Sequence, residues 1–325
     1  MIKSTLGMNY RMLSSNLENM SNRLYDIREK SATGKEINRP SDDPSAIRPL
    51  FNYKTGINVS ERYLDQMSSA RGEMDVLDSS LDQVENVMVA AKEAAIGAMS
   101  EGANEQDRET YADRVGQLFD EMLQLANEQT NGKYIFAGYS ENTRPFSISA
   151  DGSGNPDYDP DNYDPADPDT WAVEYHGDGN AKHLEISPGN QIQIGLAGNH
   201  LFQGDADNDD ISENTDVFSA LKDLEHSIRN WESDKTAVQD NLDKVDQGAD
   251  QIRRLRSRMG NNALRIDRAS SHLENQSIEF EKIISDYEDA DMLEVFSELI
   301  QQETAFEAAL NVTTRISKLS ILDFM

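Results

Sequence analysis

The chain has 325 residues, enough for more than one packing unit, but only 37% of them are hydrophobic, 7% are aromatic and the formal charge is −30. A surface this acidic repels phosphate backbones and anionic lipid, so nucleic acid and bare membrane are poor partners. Cysteine is absent, which excludes disulfides, thiol catalysis and thiolate metal sites together.

From the N-terminus, Leu6, Tyr10, Leu13, Leu17, Met20, Leu24 and Ile27 alternate steps of four and three, the seam of a coiled coil. The same stretch has no continuous apolar core of signal-peptide length, and nothing in the chain approaches the roughly 20 apolar residues of a membrane span. Any export is therefore expected to proceed without a cleaved signal. Thr33-Gly34 should end the first helix, and after Asn38-Arg39-Pro40-Ser41-Asp42-Asp43-Pro44 a second should start with Asp43 as its cap and Pro44 in its first turn. That helix is expected to run from about 44 to 100, with Leu77, Leu81, Val84, Met88, Ala91 and Ala95 on its stripe and an irregularity at Pro49, which lacks a backbone N–H. A third, about 104 to 130, carries Tyr111, Val115, Leu118, Met122 and Leu125 and is expected to stop at Asn131-Gly132.

The period then changes. Tyr134-Ile135-Phe136, Trp171 to Tyr175, His183 to Ile186 and Gln191 to Ile194 read as strands of a small β domain. Between the first two lies a Pro- and Asp-rich stretch, 157 to 169, that suits an exposed loop. Helix returns at Val217, Leu221, Leu224 and Ile228. The longest periodic signal follows, from Val238 through Leu242, Val245, Ala249, Ile252, Arg256, Met259, Ala263, Ile266, Ser270, Leu273, Ser277 and Phe280 to Ile284. A lone helix of this kind exposes its seam, so it should pair antiparallel with the 44 to 100 helix. A last amphipathic segment, about 290 to 320, includes Leu293, Phe296, Leu299, Ile300, Phe306, Leu310, Ile316 and Leu319.

The expected fold is therefore mainly α with a β insertion. It is a long antiparallel helical rod with coiled-coil terminal helices (1–33 and 290–325), a helical body (34–140 and 217–289) and a small outer acidic β domain (141–216). The candidate assembly surface is the pair of terminal stripes: Leu6, Tyr10, Leu13, Leu17, Met20, Leu24 and Ile27 at one end, and Leu293, Leu299, Phe306, Leu310, Ile316 and Leu319 at the other. They are expected to be loosely ordered in the free chain and to become helical when buried against neighbouring subunits, with pairing of the two ends as the alternative for the isolated chain.

Chemistry-bearing motifs are sparse. Asp205, Asp207, Asp209 and Glu213 have the alternation of a calcium loop, but Asp210 stands where such a loop needs Gly and Asp216 where it needs Glu, leaving a weak candidate. Residues 151 to 216 are crowded with carboxylates opposed by Lys182 alone, among Gly, Asn and Pro rather than in an apolar pocket that would raise a catalytic pKa. Neither HExxH, GxSxG nor a phosphate loop is present. Arg253, Arg254, Arg256 and Arg258 form a basic cluster inside an acidic helix and read as a solvated or salt-bridged face. No catalytic residue, cofactor or metal is expected.

Three segments resemble one family. Gly34-Lys35-Glu36-Ile37-Asn38-Arg39-Pro40-Ser41-Asp42-Asp43-Pro44-Ser45-Ala46 resembles the link between the first two helices of flagellins and their junction relatives. Asn131 to Tyr139 followed by Thr143-Arg144-Pro145-Phe146 is similar to the entry to the β domain of the hook-associated protein 3 family. Asp289 to Glu294 and Gln301 to Ala305 are similar to that family's terminal helix. The resemblance implies a structural, axial, extracellular subunit at the hook–filament junction of a bacterial flagellum, not an enzyme. Its partners would be hook-associated protein 1, flagellin, copies of itself in a tube, an export chaperone and the flagellar type III apparatus. A flagellin filament subunit is the alternative; a calcium-dependent adhesin and a surface hydrolase are more distant ones.

Overall fold

The computed structural model describes residues 6–148, 170–205, 214–231 and 235–322. The protein is mainly α, with six α-helices and three small antiparallel sheets among these residues. The helices are α1 (Leu6–Thr33), α2 (Pro44–Ala98), α3 (Glu105–Ala126), α4 (Val217–Arg229), α5 (Lys235–Glu288) and α6 (Met292–Leu322). Two compact units result: Met1–Glu61 with Leu273–Met325, and Arg62–His272. Both α2 and α5 contribute to each.

In the larger unit the expected stripes are the core. Leu77, Leu81, Val84, Met88, Ala91 and Ala95 of α2 are buried, as are Val238, Leu242, Val245, Ala249, Ile252, Met259, Ala263 and Ile266 of α5. The pairing is antiparallel, because ion pairs climb one helix as they descend the other: Lys92 with Asp246 at 2.7 Å, Arg256 with Asp82 at 2.7 Å, Arg71 with Asp267 at 3.2 Å. Arg256 holds a seam position without breaking the seam, since its guanidinium also reaches Asp78 (2.8 Å) and Glu85 (3.2 Å). Arg253 pairs with Asp250 and Glu85, as expected for a salt-bridged face.

Helix α3 starts with a capping box, the Asn104 side chain accepting from Asp107 N–H and the Asp107 side chain from Asn104 N–H. It ends at Ala126, earlier than expected. Asn127 exchanges two hydrogen bonds with the Phe146 backbone, which fixes the chain's exit from the helix. Asn131-Gly132 is instead the turn of a hairpin between β1 (Gln129–Thr130) and β2 (Lys133–Tyr134), both turn residues at positive φ (53° and 78°), the type I′ preference of Asn-Gly.

Among the described residues the β region is three separate two-stranded sheets rather than one. β3 (Phe146–Ser147) pairs with β4 (Glu174–Tyr175), and β5 (His183–Ser187) with β6 (Asn190–Gln193). Aromatic packing joins these pieces to the helices: Phe202, in the π-helical turn Asn199–Gln203, lies 5.2 Å from Phe136, 5.3 Å from Phe146 and 5.4 Å from Phe218 of α4. Gln251 of α5 donates to Leu201 O and Thr215 O, and Asn262 to Gln193 O. These aromatic contacts supply the core that such short strands cannot build on their own.

Candidate assembly interface

The smaller unit brings the two ends of the chain together. Helix α1 has its stripe every three or four residues and stops at Gly34, whose φ of 72° suits the left-handed cap and whose N–H bonds to Lys30 O. The following link is built by short-range bonds. Asp42 accepts from the N–H groups of Asn38 and Arg39, and the Arg39 bond chiefly holds its carboxyl below the usual range. Asp43 accepts from the Ser45 hydroxyl, Ser45 N–H and Ala46 N–H, capping α2 as expected. The first of these contributes most to lowering its pKa. Helix α2 then continues through Pro49 without interruption. The proline is near the start, where one missing backbone bond leaves the rest of the ladder intact.

Behind this link, Ile37, Ala46 and Leu50 form a small core with Ile47 and Ile284. The end of α5 is tied to it. Glu288 O accepts from Glu36 N–H at 2.7 Å, Gly34 O accepts from Ala290 N–H at 2.9 Å, and the Glu288 carboxylate takes Lys35 (3.0 Å) and Lys54 (2.8 Å). Burial works against a charged Glu288, but the hydrogen bonds from Lys54 and Lys35 prevail and its pKa is lowered. The string of polar residues between α1 and α2 is therefore a structural clasp.

Helices α1 and α6 pack on each other, with Arg28 reaching Glu303 at 2.7 Å. Leu24, Ile27 and Val295 are buried; Leu13, Leu17, Met20, Leu299 and Phe306 are half-buried. Leu293 is 84% exposed and Leu310 42%. Leu6 and Tyr10 lie within α1, and Ile316 and Leu319 within α6. Sequence periodicity did not single out Val295, which takes the buried place instead of Leu293. Helix α6 carries a second apolar line, Leu293, Phe296 (48% exposed) and Ile300 (65%), about 120° round the helix from the packed one. Met8 and Met12 of α1 are also exposed, at 63% and 62%.

Elsewhere, Asp205 is buried and accepts from Asn199 Nδ2; Asp207, Asp209 and Glu213 lie outside the described residues. Ser147 Oγ is 2.8 Å from His176 Nε2, and Glu174 is 3.7 Å from that same nitrogen. A catalytic relay needs the acid on the other ring nitrogen, so this trio does not assemble one. No helix among the described residues is long and apolar enough to cross a membrane.

Comparisons with known proteins agree with the two-ended architecture. The bacterial flagellin N-terminal helical region matches residues 4–141, and the bacterial flagellin C-terminal helical region matches 242–325. Flagellar hook-associated protein 3 of Escherichia coli (strain K12) is 25% identical over 307 residues, covering 90% of each chain. That of Salmonella typhimurium is 22% identical over 330 residues, covering 97% of this chain and 96% of its own. Among solved structures, a flagellar hook-associated protein from Vibrio parahaemolyticus superposes with a TM-score of 0.62 at 14% identity, over 76% of this chain and all of that one. The flagellar junction protein FlgL from Legionella pneumophila gives 0.56 at 14%, over 75% of this chain and all of that one. With both its terminal helical regions matched, and with end-to-end likeness to hook-associated protein 3, the chain belongs to the flagellin superfamily and to its hook-associated protein 3 members.

Proposed function

We propose that the protein is the non-enzymatic axial subunit that joins hook to filament outside the cell. It would seat on hook-associated protein 1 on one side and receive flagellin on the other, with copies of itself completing a tube. In this reading residues 1–33 and 290–325 are the assembly domain, 34–140 and 217–289 the helical body, and 141–216 the outer acidic part. An export chaperone would cover the terminal helices before delivery through the type III apparatus.

The observation that carries the reading is the second apolar line of α6. Pairing with α1 satisfies Val295, Leu299 and Phe306 yet leaves Leu293, Phe296 and Ile300 in water. Burying each against a neighbour contributes about 1.5 to 3 kcal/mol before ordering entropy is subtracted. Open, heterologous packing of subunits is the arrangement such a surface suits.

The test is Phe296→Asp and Ile300→Asp, singly and together, scored by monomer melting and by addition to hook ends followed by flagellin growth. Both positions are exposed in the monomer, so melting should shift little while attachment is lost. Normal attachment by the double variant would refute the reading. Growth of long filaments by the unaltered protein alone would instead select a flagellin role.

A further inference from the structure

The charge of this chain cannot be balanced from within. There are 60 Asp and Glu against 30 Lys and Arg, so if every base neutralised one acid, half the carboxylates would have no cationic partner. The structure shows how that scarcity is handled. Arg256 is divided among Asp78, Asp82 and Glu85. Arg229 serves Asp113 at 2.6 Å and Glu225 at 3.1 Å, and Arg71 serves both Asp75 and Asp267. The carboxylates that receive two lysines, Glu141 and Glu288, are among the more buried ones, so cations are placed where water is scarce. Elsewhere the acids stand against one another. From 286 to 298 the chain carries Asp286, Asp289, Asp291, Glu294 and Glu298 besides the lysine-paired Glu288, without an intervening base, and Asp286 lies in the last turn of α5, where the helix dipole disfavours negative charge.

Two electrostatic effects oppose each other as salt is added. Screening weakens the ion pairs that bridge α2 and α5, but those are at least partly exposed and individually contribute little. It also weakens the repulsion among carboxylates, which exceed their partners throughout the chain. With 60 acids to 30 bases, relief of repulsion outweighs the loss of those pairs. We infer that the protein is built to fold in a saline medium, with hydrated cations of the solution supplying the counter-charge that its own sequence lacks. This inference is independent of the role in the flagellum, since it concerns the isolated chain.

The experiment is thermal unfolding of the full-length protein at fixed neutral pH in sodium chloride from about 0.01 M, where the screening length is about 30 Å, to about 1 M, where it is about 3 Å. A companion variant replaces six exposed carboxylates by their amides: Asp65→Asn, Glu93→Gln, Asp120→Asn, Glu121→Gln, Asp240→Asn and Glu281→Gln. The unaltered protein should gain about 5 °C or more in melting temperature across the series. The variant should start higher in low salt and rise less. A melting temperature that is flat or falls with salt would overturn the inference. So would a variant that matches the unaltered protein in both starting point and slope, because salt would then act by exclusion from the surface rather than on charge.

Discussion

Replacing Ile266 by Asp tests the α2–α5 seam at a position that is 1% exposed. Removing the buried isoleucine forfeits about 3 kcal/mol of apolar burial, and a carboxyl group left without partners adds about 2 kcal/mol or more even when it is neutral. The expected loss is thus about 5 kcal/mol, comparable with the whole stability of many domains. Burial would raise the pKa of the introduced carboxyl above its unfolded value, so the loss should deepen as pH rises through the range from about 4 to 7. The control is Arg254→Glu, on the exposed side of the same helix, where about 1 kcal/mol or less is expected. Urea unfolding followed by far-ultraviolet circular dichroism at two pH values reads both. Equal shifts for the two variants, or an Ile266→Asp effect that does not grow with pH, would show that the seam does not run through this position.

Gly138 has φ +64°, and a Cβ there would lie 1.9 Å from Asp178 O. Gly138→Ala should therefore cost about 3 kcal/mol or more, against about 1 to 2 for Gly132→Ala, which meets only the strain of positive φ; urea midpoints compare them. Asp216, the cap of α4, is buried and pushed up to about 7, burial outweighing the bonds from Ser219 and Phe218. Its folded pKa lies above its unfolded one, so its contribution is fully present below about pH 4 and is lost as pH rises through 7, by about 4 kcal/mol at most. The stability of Asp216→Asn minus that of the unaltered protein should therefore rise with pH across this window, and a difference that stays constant would show that the carboxyl is not perturbed.

The long helices were legible because an apolar stripe at steps of four and three reports its own geometry. Arg256 could be placed in that stripe, but not its partners Asp78, Asp82 and Glu85, since no local signal relates residues so far apart. The cap at Asp43 and the stop at Gly34 are local chemistry and followed from single residues. Asn131-Gly132 reads as a helix stop but is a hairpin turn, because Asn-Gly suits both and the bonds of Asn127 to Phe146, which end α3 earlier, are tertiary. Alternation located β5 and β6, but of the run Trp171 to Tyr175 only Glu174–Tyr175 is strand and of Tyr134-Ile135-Phe136 only Tyr134, because buried apolar residues also read as strand when they pack from bends and turns; β3, at Phe146–Ser147, is too short to show a period. At the C-terminal end, apolar residues at 292, 293, 295, 296, 299 and 300 support two helical phases at once. Only the packing of α1 distinguishes Val295, which is buried, from Leu293, which is exposed. The faces that would meet α6 in an assembly lie on other subunits, so no contact within a single chain reports them.

The clasp at Glu288 bears on the order in which the chain folds. Its lysines, Lys35 and Lys54, lie 253 and 234 residues away in sequence, so each contact closes a very long loop. The larger unit, Arg62–His272, is continuous and can form as soon as it has been synthesised, but the smaller needs both the first and the last stretches of chain. Closing a loop costs entropy that grows with its length, though only logarithmically. Prior folding of the intervening unit changes that cost, because it replaces a floppy loop by an ordered body with α2 and α5 leaving it at fixed points. Refolding should accordingly show two phases, the earlier reported by burial of Trp171 and the later by ordering of Tyr53 against Phe280, whose rings stand 5.4 Å apart. On that order the terminal helices would be the last part of the molecule to acquire structure, and during the interval their apolar stripes would be open to whatever partner arrives first.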